Sequence, residues 1–192
     1  NICKQTLEQF VSKPIKNVPF WHNEKIWFKL NNKQDIRKKY TLLDSDFLIG
    51  SFQKDTEGAS IQNKTFLPKK EKGPDIFVQA VILLKKHKYP NIKVVLTGTR
   101  RQYIMRELKK HNIEYYYFEM CECTQLNELY NCLDLYIVAS RVEGGPRAIN
   151  ECSLTKTPLL STNVGIASLL CHPKSIFDMN NIHTILDCKT DI

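Results

Sequence analysis

Two glutamates on either side of a turn of small residues are the feature of this sequence best suited to chemistry. Glu143 and Glu151 flank a segment that contains Gly144, Gly145 and Pro146. The glycines leave backbone N–H groups accessible, proline is favoured in the first turn of a helix, and the start of a helix attracts anions. The carboxylates can accept hydrogen bonds from hydroxyl groups while the amides hold a phosphate. We therefore predict a binding site for a ligand with both kinds of group, such as a nucleotide-sugar.

The residues around this turn predict the elements that position it. An apolar run over residues 133–139 is typical of a buried strand, and a helix is predicted from Pro146. Glu143 then lies in the loop, and Glu151 lies about a turn and a half into the helix. The alternative is that Arg147 and Glu151, four residues apart on the helix, simply form a surface ion pair.

Strands and helices alternate along the rest of the chain. Apolar segments indicate strands at 47–52, 92–97, 113–118, 133–139, 158–161 and 175–177. Helices are predicted at 74–85, at 101–111, after a Thr124 cap, from Pro146 and at 165–170, with a long polar loop at 53–70. This alternation predicts an α/β fold, a Rossmann-like parallel sheet with helices on both faces. Ligands of such sheets bind at the carboxyl ends of the strands, where Gly98 and residues 141–145 are expected to meet.

The length of the chain, 192 residues, allows one domain with a hydrophobic core. Residues 1–40 lack a long periodicity, so we expect them to form an entry segment or interdomain linker on the outside of a domain formed by residues 41–192. Residues 37–40 are expected to end a short helix. Because the sequence begins with Asn1 instead of Met, we expect a fragment or a processed piece.

The composition, 42% hydrophobic and 25% charged, is ordinary for a globular protein. No apolar run approaches the roughly 20 residues of a membrane span, and no signal-peptide pattern occurs. The net charge of +8 comes from scattered lysines, which favours a lysine-rich surface over a dedicated basic face. Peripheral membrane association stays an open alternative. Nucleic acid is not an expected partner, because no aromatic RNA-binding motif accompanies the charge.

The seven cysteines include no Cys-x-x-Cys pair. This favours free thiols in a reducing, cytoplasmic compartment over disulfides or a zinc site. Cys132 and Cys152 lie within apolar patterns and are predicted to be small core residues.

Lysines near predicted strand ends are candidates for phosphate contacts. Lys72, directly before Gly73 and a predicted helix, is preferred, because its ammonium would offset the charge that builds up as a diphosphate leaves. Lys54, just past the first predicted strand, is the second candidate. Ordinary solvated loops would explain both lysines without a ligand. Gly98 follows a strand but belongs to no Gly-x-Gly-x-x-Gly fingerprint, so a simple dinucleotide-binding domain is not expected.

Together these segments resemble the C-terminal, donor-binding half of a GT-B glycosyltransferase, of the retaining group that carries a Glu, seven residues, Glu motif. Glu143 and Glu151 match the spacing of that motif. The first strand, a Lys-Gly helix start, a further strand and the segment after the motif resemble those of the family at residues 47–52, 72–75, 94–98 and 151–161. The resemblance extends from about Phe20 to about Phe177.

The resemblance implies binding of a nucleotide-diphosphate sugar and transfer of the sugar with retention of its anomeric configuration. It assigns Glu143 to hydroxyls of the donor sugar, Glu151 to the ribose and Lys72 to the diphosphate. Backbone amides over residues 144–147, from Gly144 through Gly145 and Pro146 to Arg147, would approach the phosphate and the sugar. No metal or other cofactor is expected, because lysine and helix amides would do the work of a divalent ion and no Asp-x-Asp pair occurs.

The loops after Gly98 and around Cys121 would frame the base. The acceptor is unknown and would be held by the protein's own N-terminal domain, which is not in this sequence, so the isolated chain is expected to be weakly active or inactive. Where the family usually has an arginine after the first strand, residues 51–54 read Ser-Phe-Gln-Lys, and Lys54 is expected to take that role. Two alternatives stay open: a sugar-nucleotide epimerase of GT-B type, and a non-catalytic nucleotide- or sugar-binding or scaffold domain.

Overall fold

The computed structural model describes residues 2–16, 18 and 21–190, and these form an α/β fold. Three residues named above lie outside the described residues: Asn1, Phe20 and Ile192. The side chain of Cys3 lies outside them as well. The strands in the described part are β1 (Phe47–Ser51), β2 (Ile92–Thr97), β3 (Tyr115–Phe118), β4 (Leu135–Val138), β5 (Leu159–Thr162) and β6 (Ile176–Phe177). The α-helices there are α1 (Ile2–Glu8), α2 (Lys33–Lys39), α3 (Gly58–Gln62), α4 (Pro74–His87), α5 (Gln102–Lys110), α6 (Cys123–Cys132), α7 (Arg147–Thr155) and α8 (Ala167–Leu170).

The sheet has the strand order β3-β2-β1-β4-β5-β6, and all neighbouring strands are parallel. In its centre, Ile49 of β1 lies opposite Val94 of β2 and Leu135 of β4. The order reverses between β1 and β4, and ligands of open α/β sheets bind outside the carboxyl ends of the strands at such a point. The predicted Rossmann-like parallel sheet is confirmed.

Helices cover both faces of the sheet because successive strand residues point to opposite sides. On one face Ile49 and its neighbours are buried against α4 and α5, including Phe77 and Leu108. On the other face Leu48 and its neighbours are buried against α2, α6 and α7, including Leu129. The strands are therefore apolar in nearly every position, as expected for a sheet covered on both sides. Cys132 and Cys152 are fully buried in the second cluster, as predicted.

The predictions for the polar segment 53–70 and for the cap of the helix after residue 122 are wrong. The segment 53–70 is not one long loop: it contains α3 and an antiparallel bridge between Thr56 and Pro68, and a short 3-10 helix begins at Lys70. Helix α6 is capped by Glu122 and not by Thr124, because the Glu122 and Gln125 side chains form a reciprocal capping box with the first turn. The pattern of apolar residues does not predict short helices within a polar segment, nor which of two nearby polar residues caps a helix.

Residues 21–40 contribute to the core as well as to the surface. Trp27 and Ile36 are buried in the same cluster as Leu129. Arg37 of α2, 4% exposed, donates from its guanidinium to Cys132 O and to the carboxylate of Asp134. The division of the chain at residue 40 stays a prediction. None of the helices in the described part is both long and apolar enough to cross a membrane.

Candidate functional site

A cavity of about 420 Å³ opens at the carboxyl ends of β1 and β4, where the strand order reverses. Loops after both strands, the start of α4 and the facing sides of α6 and α7 form its walls. The lining residues are Phe52, Gln53, Lys72, Leu126, Tyr130, Tyr136, Val138, Glu143, Gly145, Pro146, Arg147, Ala148 and Glu151.

The Lys72 ammonium and the Glu143 carboxylate face each other in this cavity. Lys72 Nζ lies 2.7 Å from Glu143 Oε1, and Ser140 Oγ donates a 2.7 Å hydrogen bond to the same oxygen. The two side chains are 27% and 13% exposed, so the pair is screened less than a surface ion pair. Gln53 completes the group, because its Nε2 donates to the backbone oxygen of Lys72 at 2.9 Å.

Gly73 is the reason that Lys72 can lie at the end of β4. Its φ of 58° is left-handed, and a Cβ there would lie 1.8 Å from Ala139 O. Pro74 follows in the first turn of α4, where a missing N–H costs no hydrogen bond. The close approach of Gly73 to Ala139 therefore brings the start of α4 against the strand that precedes Glu143.

The loop that carries Glu143 is tied to the same segment. The Arg141 guanidinium donates to both carboxylate oxygens of Asp75, at 2.8 and 2.6 Å. The backbone N–H groups of Arg141 and Val142 donate to Glu71 O at 2.9 and 3.2 Å. The hydrogen bonds from Arg141 hold the pKa of Asp75 below its usual value. The spacing between Lys72 and Glu143 is thus set by contacts on both sides of the pair.

Glu151 lines the same cavity, one turn into α7. Its carboxylate is oriented by residues that do not belong to α7. The Tyr130 hydroxyl donates a 2.7 Å hydrogen bond to Glu151 Oε2. His22 Nε2 lies 3.6 Å from Glu151 Oε1. Burial raises the pKa of Tyr130 well above its usual value, so the hydroxyl keeps its proton and remains a donor.

The start of α7 points at the cavity. Pro146 is the N-cap, one residue before the helix and not in its first turn as predicted, and its own side chain makes no capping hydrogen bond. Gly145 lines the cavity, and a Cβ at Gly144 would meet no atom within 4 Å, so packing does not require glycine there. Free space at the start of a helix suits an anion.

A second cavity of about 360 Å³ adjoins the first and shares Phe52 and Leu126 with it. It is lined by Phe52, Lys54, Thr97, Gly98, Thr99, Glu119, Met120, Cys121 and Leu126. Gly98 has a φ of 83°, and a Cβ there would again meet nothing within 4 Å. Lys54 and Gly98 therefore lie in a different cavity from Lys72, Glu143 and Glu151. Phe52 lines both cavities.

A fully buried ion pair fixes the loops of this second cavity. Arg101, 0% exposed, pairs through Nε with the Asp55 carboxylate. Its guanidinium also donates to Ser51 O and Thr97 O, the last residues of β1 and β2, at 2.6 Å each. Burial raises the pKa of Asp55, and the Arg101 charge opposes that shift. Arg101 thus ties together the strand ends that precede Lys54 and Gly98.

The structure also identifies site residues that sequence reasoning missed. Gln53, and not Lys54, shares the cavity with Lys72. Tyr130 and Tyr136 pack with Phe52 in an aromatic cluster with ring centroids 4.8 to 5.3 Å apart. The local sequence around Tyr130 gives no indication that its hydroxyl reaches Glu151 on another helix.

Metal ligands were not predicted, and in residues 2–16, 18 and 21–190 no three His, Cys, Asp or Glu side chains come together as a metal site. The expected independence from metal stays a prediction, as do the individual roles of the cavity residues.

The sequence matches the family model for glycosyl transferases group 1 over residues 65–183, more than half of the chain. Comparison with curated proteins gives no match. Among solved structures, sucrose-phosphate synthase from Thermosynechococcus elongatus is similar with a TM-score of 0.72 and 17% identity, over 96% of this chain and 45% of that protein. The C-terminal domain of a glycosyl transferase group 1 family protein from Francisella tularensis is similar with a TM-score of 0.63 and 17% identity, over 87% of this chain and 86% of that one.

A protein from Anabaena, solved in complex with UDP and glucose, is similar with a TM-score of 0.61 and 16% identity, over 86% of this chain and 45% of that one. At these identities the structural likeness shows the fold, which is that of the C-terminal domain of GT-B glycosyltransferases. The chain spans less than half the length of the synthase and of the Anabaena protein. Because the family model covers more than half of the sequence, and the sheet has the fold of that family's C-terminal domain, the chain belongs to the glycosyl transferases group 1.

Proposed function

We propose that this chain is the donor-binding domain of a retaining glycosyltransferase, which binds a nucleotide-diphosphate sugar for transfer to an acceptor held by a separate N-terminal domain. The observation that carries the proposal is the composition of one cavity. It combines an ammonium, two carboxylates and the start of a helix at the point where the strand order reverses. A ligand with phosphates and several hydroxyls matches all three kinds of group.

The two adjoining cavities suggest how the donor lies. The base enters the second cavity beside Phe52, and the ribose hydroxyls bind Glu151, whose carboxylate Tyr130 orients. The diphosphate lies between Lys72 and the start of α7, and the donor sugar faces Glu143. Family membership and the UDP and glucose bound by the Anabaena protein support this class of ligand.

The same groups would assist the reaction. When the bond between the sugar and the diphosphate breaks, negative charge builds up on the leaving phosphate. The Lys72 ammonium and the amides at the start of α7 stabilise that charge without a metal ion. Glu143 accepts hydrogen bonds from sugar hydroxyls and so holds the ring in place. The acceptor side of the cleft comes from the N-terminal domain, so the chain alone binds donor and transfers little.

Calorimetric titration of the chain with UDP-glucose, GDP-mannose and ADP-glucose tests this proposal. We expect one of them to bind saturably, and Glu151→Ala to weaken that binding by about tenfold or more, through the loss of charge-assisted hydrogen bonds. Glu114→Ala is the matched control, because Glu114 is 77% exposed and pairs with Lys93 away from both cavities. Absence of binding to every nucleotide-sugar would favour a scaffold domain. Donor binding with isomerisation of the bound sugar would favour an epimerase.

A further inference from the structure

The position of Glu143 against Lys72 has a consequence for the product as well as for the donor. Resting on the donor site proposed above, we propose that Glu143 makes the site discriminate against the free nucleoside diphosphate that remains after transfer, and in favour of the intact nucleotide-sugar. Glu143 is then a specificity-determining residue for the phosphate end of the ligand.

The argument begins with the charge that is already next to Lys72. Its ammonium lies 2.7 Å from Glu143 Oε1, so a phosphate that approaches Lys72 also approaches a carboxylate. In a nucleotide-sugar, one oxygen of the outer phosphate is esterified and carries no charge. In the free nucleoside diphosphate that oxygen is ionisable, which adds up to about one negative charge near neutral pH.

Glu143 therefore acts on the two ligands with opposite sign. The donor places sugar hydroxyls, which are hydrogen-bond donors, in front of the carboxylate. The free diphosphate places an additional negative oxygen there. Like charges a few ångströms apart in a partly desolvated cavity repel strongly compared with the same charges in water. Glu151 does not discriminate in this way, because the ribose is common to both ligands.

The carboxylate cannot easily turn away from the incoming phosphate. Ser140 Oγ donates to Glu143 Oε1, and Thr162 Oγ1 donates in turn to Ser140 O at 2.6 Å. Gly165, with a φ of 57°, packs against the loop from the next strand, and a Cβ there would lie 2.9 Å from Glu143 O. The loop is thus held on its backbone and on its side chain, and the repulsion is a fixed property of the site.

The test compares affinities for both ligand classes in three proteins. The wild-type chain, Glu143→Gln and Glu71→Gln are each titrated calorimetrically with two sets of ligands. The nucleoside diphosphates are UDP, GDP and ADP, and the sugar donors are UDP-glucose, GDP-mannose and ADP-glucose. Glu71→Gln is matched in charge and lies nearby, but its carboxylate faces Lys69 at 3.0 Å. For the preferred base, we expect Glu143→Gln to bind the nucleoside diphosphate about fivefold tighter or more, because one repulsive charge is removed. It should bind the sugar donor no tighter, so the dissociation constant of the nucleoside diphosphate divided by that of the sugar donor should fall. In Glu71→Gln this ratio should stay within about twofold of wild type.

The inference is overturned if this ratio is unchanged in Glu143→Gln, or if it falls as much in Glu71→Gln as in Glu143→Gln. Either result leaves the proposed donor site in place. If the wild-type chain binds neither ligand class, the proposed function itself fails, and the inference fails with it. Circular dichroism checks that the variants fold. Should Glu143→Gln not fold, Glu143→Ala removes the same charge and must change the ratio in the same direction.

Discussion

Tyr130 and Glu151 lie on adjacent helices and are joined by a 2.7 Å hydrogen bond from the tyrosine hydroxyl to Oε2 of the carboxylate. Tyr130 is 2% exposed, and burial raises its pKa, so it is a fixed donor that cannot ionise in competition with Glu151. Its ring packs against Phe52 at the wall between the two cavities, with centroids 4.8 Å apart. One side chain of α6 therefore orients an acid of α7 and shapes the surface on which a base and ribose would rest.

Tyr130→Phe is expected to weaken donor binding with little change in the fold. The ring keeps its packing, but Glu151 loses a hydrogen bond to a charged group, which is worth about 1.5 to 3 kcal/mol when fully made. We expect donor affinity to fall by roughly fivefold, since the carboxylate stays in place and loses only its orientation. Discrimination between UDP-glucose and its 2′-deoxyribose analogue, or the corresponding pair for another base, should fall as well.

Tyr136→Phe is the comparison for that variant. The Tyr136 hydroxyl accepts from Phe52 N at 2.9 Å, so its loss leaves a backbone donor without its partner and lowers stability. Selectivity for ribose should persist in Tyr136→Phe. If both variants alter selectivity equally, the hydrogen bond to Glu151 is not what orients the ribose.

Lys72→Met is expected to reduce affinity for both the donor and the nucleoside diphosphate by about tenfold or more, because a charge-assisted contact to phosphate is lost. The dependence of binding on salt concentration should also become weaker. Lys69→Met provides the control, since Lys69 pairs with Glu71 outside the cavity. Equal affinities for Lys72→Met and Lys69→Met in calorimetric titrations would remove Lys72 from the phosphate site.

Most of the sheet could be predicted from the sequence because its strands are apolar on both faces and helices alternate with them. β2, for example, is a continuous apolar run apart from Lys93 and Thr97, and its observed bounds equal the predicted ones. Glu143 and Glu151 could be found because small residues between two acids leave a signal in local spacing. These features depend on neighbouring residues in the chain, which a sequence displays directly.

The rest of the site depends on contacts between distant segments. Gln53 and Lys54 are adjacent and equally polar, and only the three-dimensional path of the chain after β1 decides which one enters the cavity with Lys72. Arg101 appeared as an ordinary helix-start residue, although it is fully buried against Asp55. Charge and polarity identify such residues as candidates, but their partners lie tens of positions away.

Gly73→Ala is expected to destabilise the domain severely. The added Cβ would stand 1.8 Å from Ala139 O, and the backbone would have to keep a left-handed φ of 58°. The clash forces the start of α4 away from β4, and we expect a loss of about 3 kcal/mol or more in the free energy of unfolding, measured with urea.

Gly98→Ala separates the two causes. Gly98 has a φ of 83°, but a Cβ there meets no atom within 4 Å. Only the backbone strain remains, so we expect a loss of about 1 to 2 kcal/mol. If Gly73→Ala is no more destabilising than Gly98→Ala, the close approach between Gly73 and Ala139 does not hold α4 in place.

The pair between Asp75 and Arg141 predicts a change of stability in acid. Hydrogen bonds from Arg141 lower the pKa of Asp75, so the folded state binds the proton more weakly than the unfolded chain, whose Asp pKa is about 3.9. The stabilisation is therefore present above about pH 4 and is lost as the pH falls through the lower, folded-state pKa. Both side chains are 35% exposed, so we expect less than about 1 kcal/mol from the pair. In urea unfolding, the free energies of unfolding of wild type and Asp75→Asn should differ at pH 7, and this difference should disappear as the pH falls through the folded-state pKa of Asp75. Asp44→Asn, just before β1 at the amino-terminal edge of the sheet, controls for the loss of one carboxylate. If the difference in the free energy of unfolding between wild type and Asp75→Asn does not depend on pH, Arg141 does not act through the charge of Asp75.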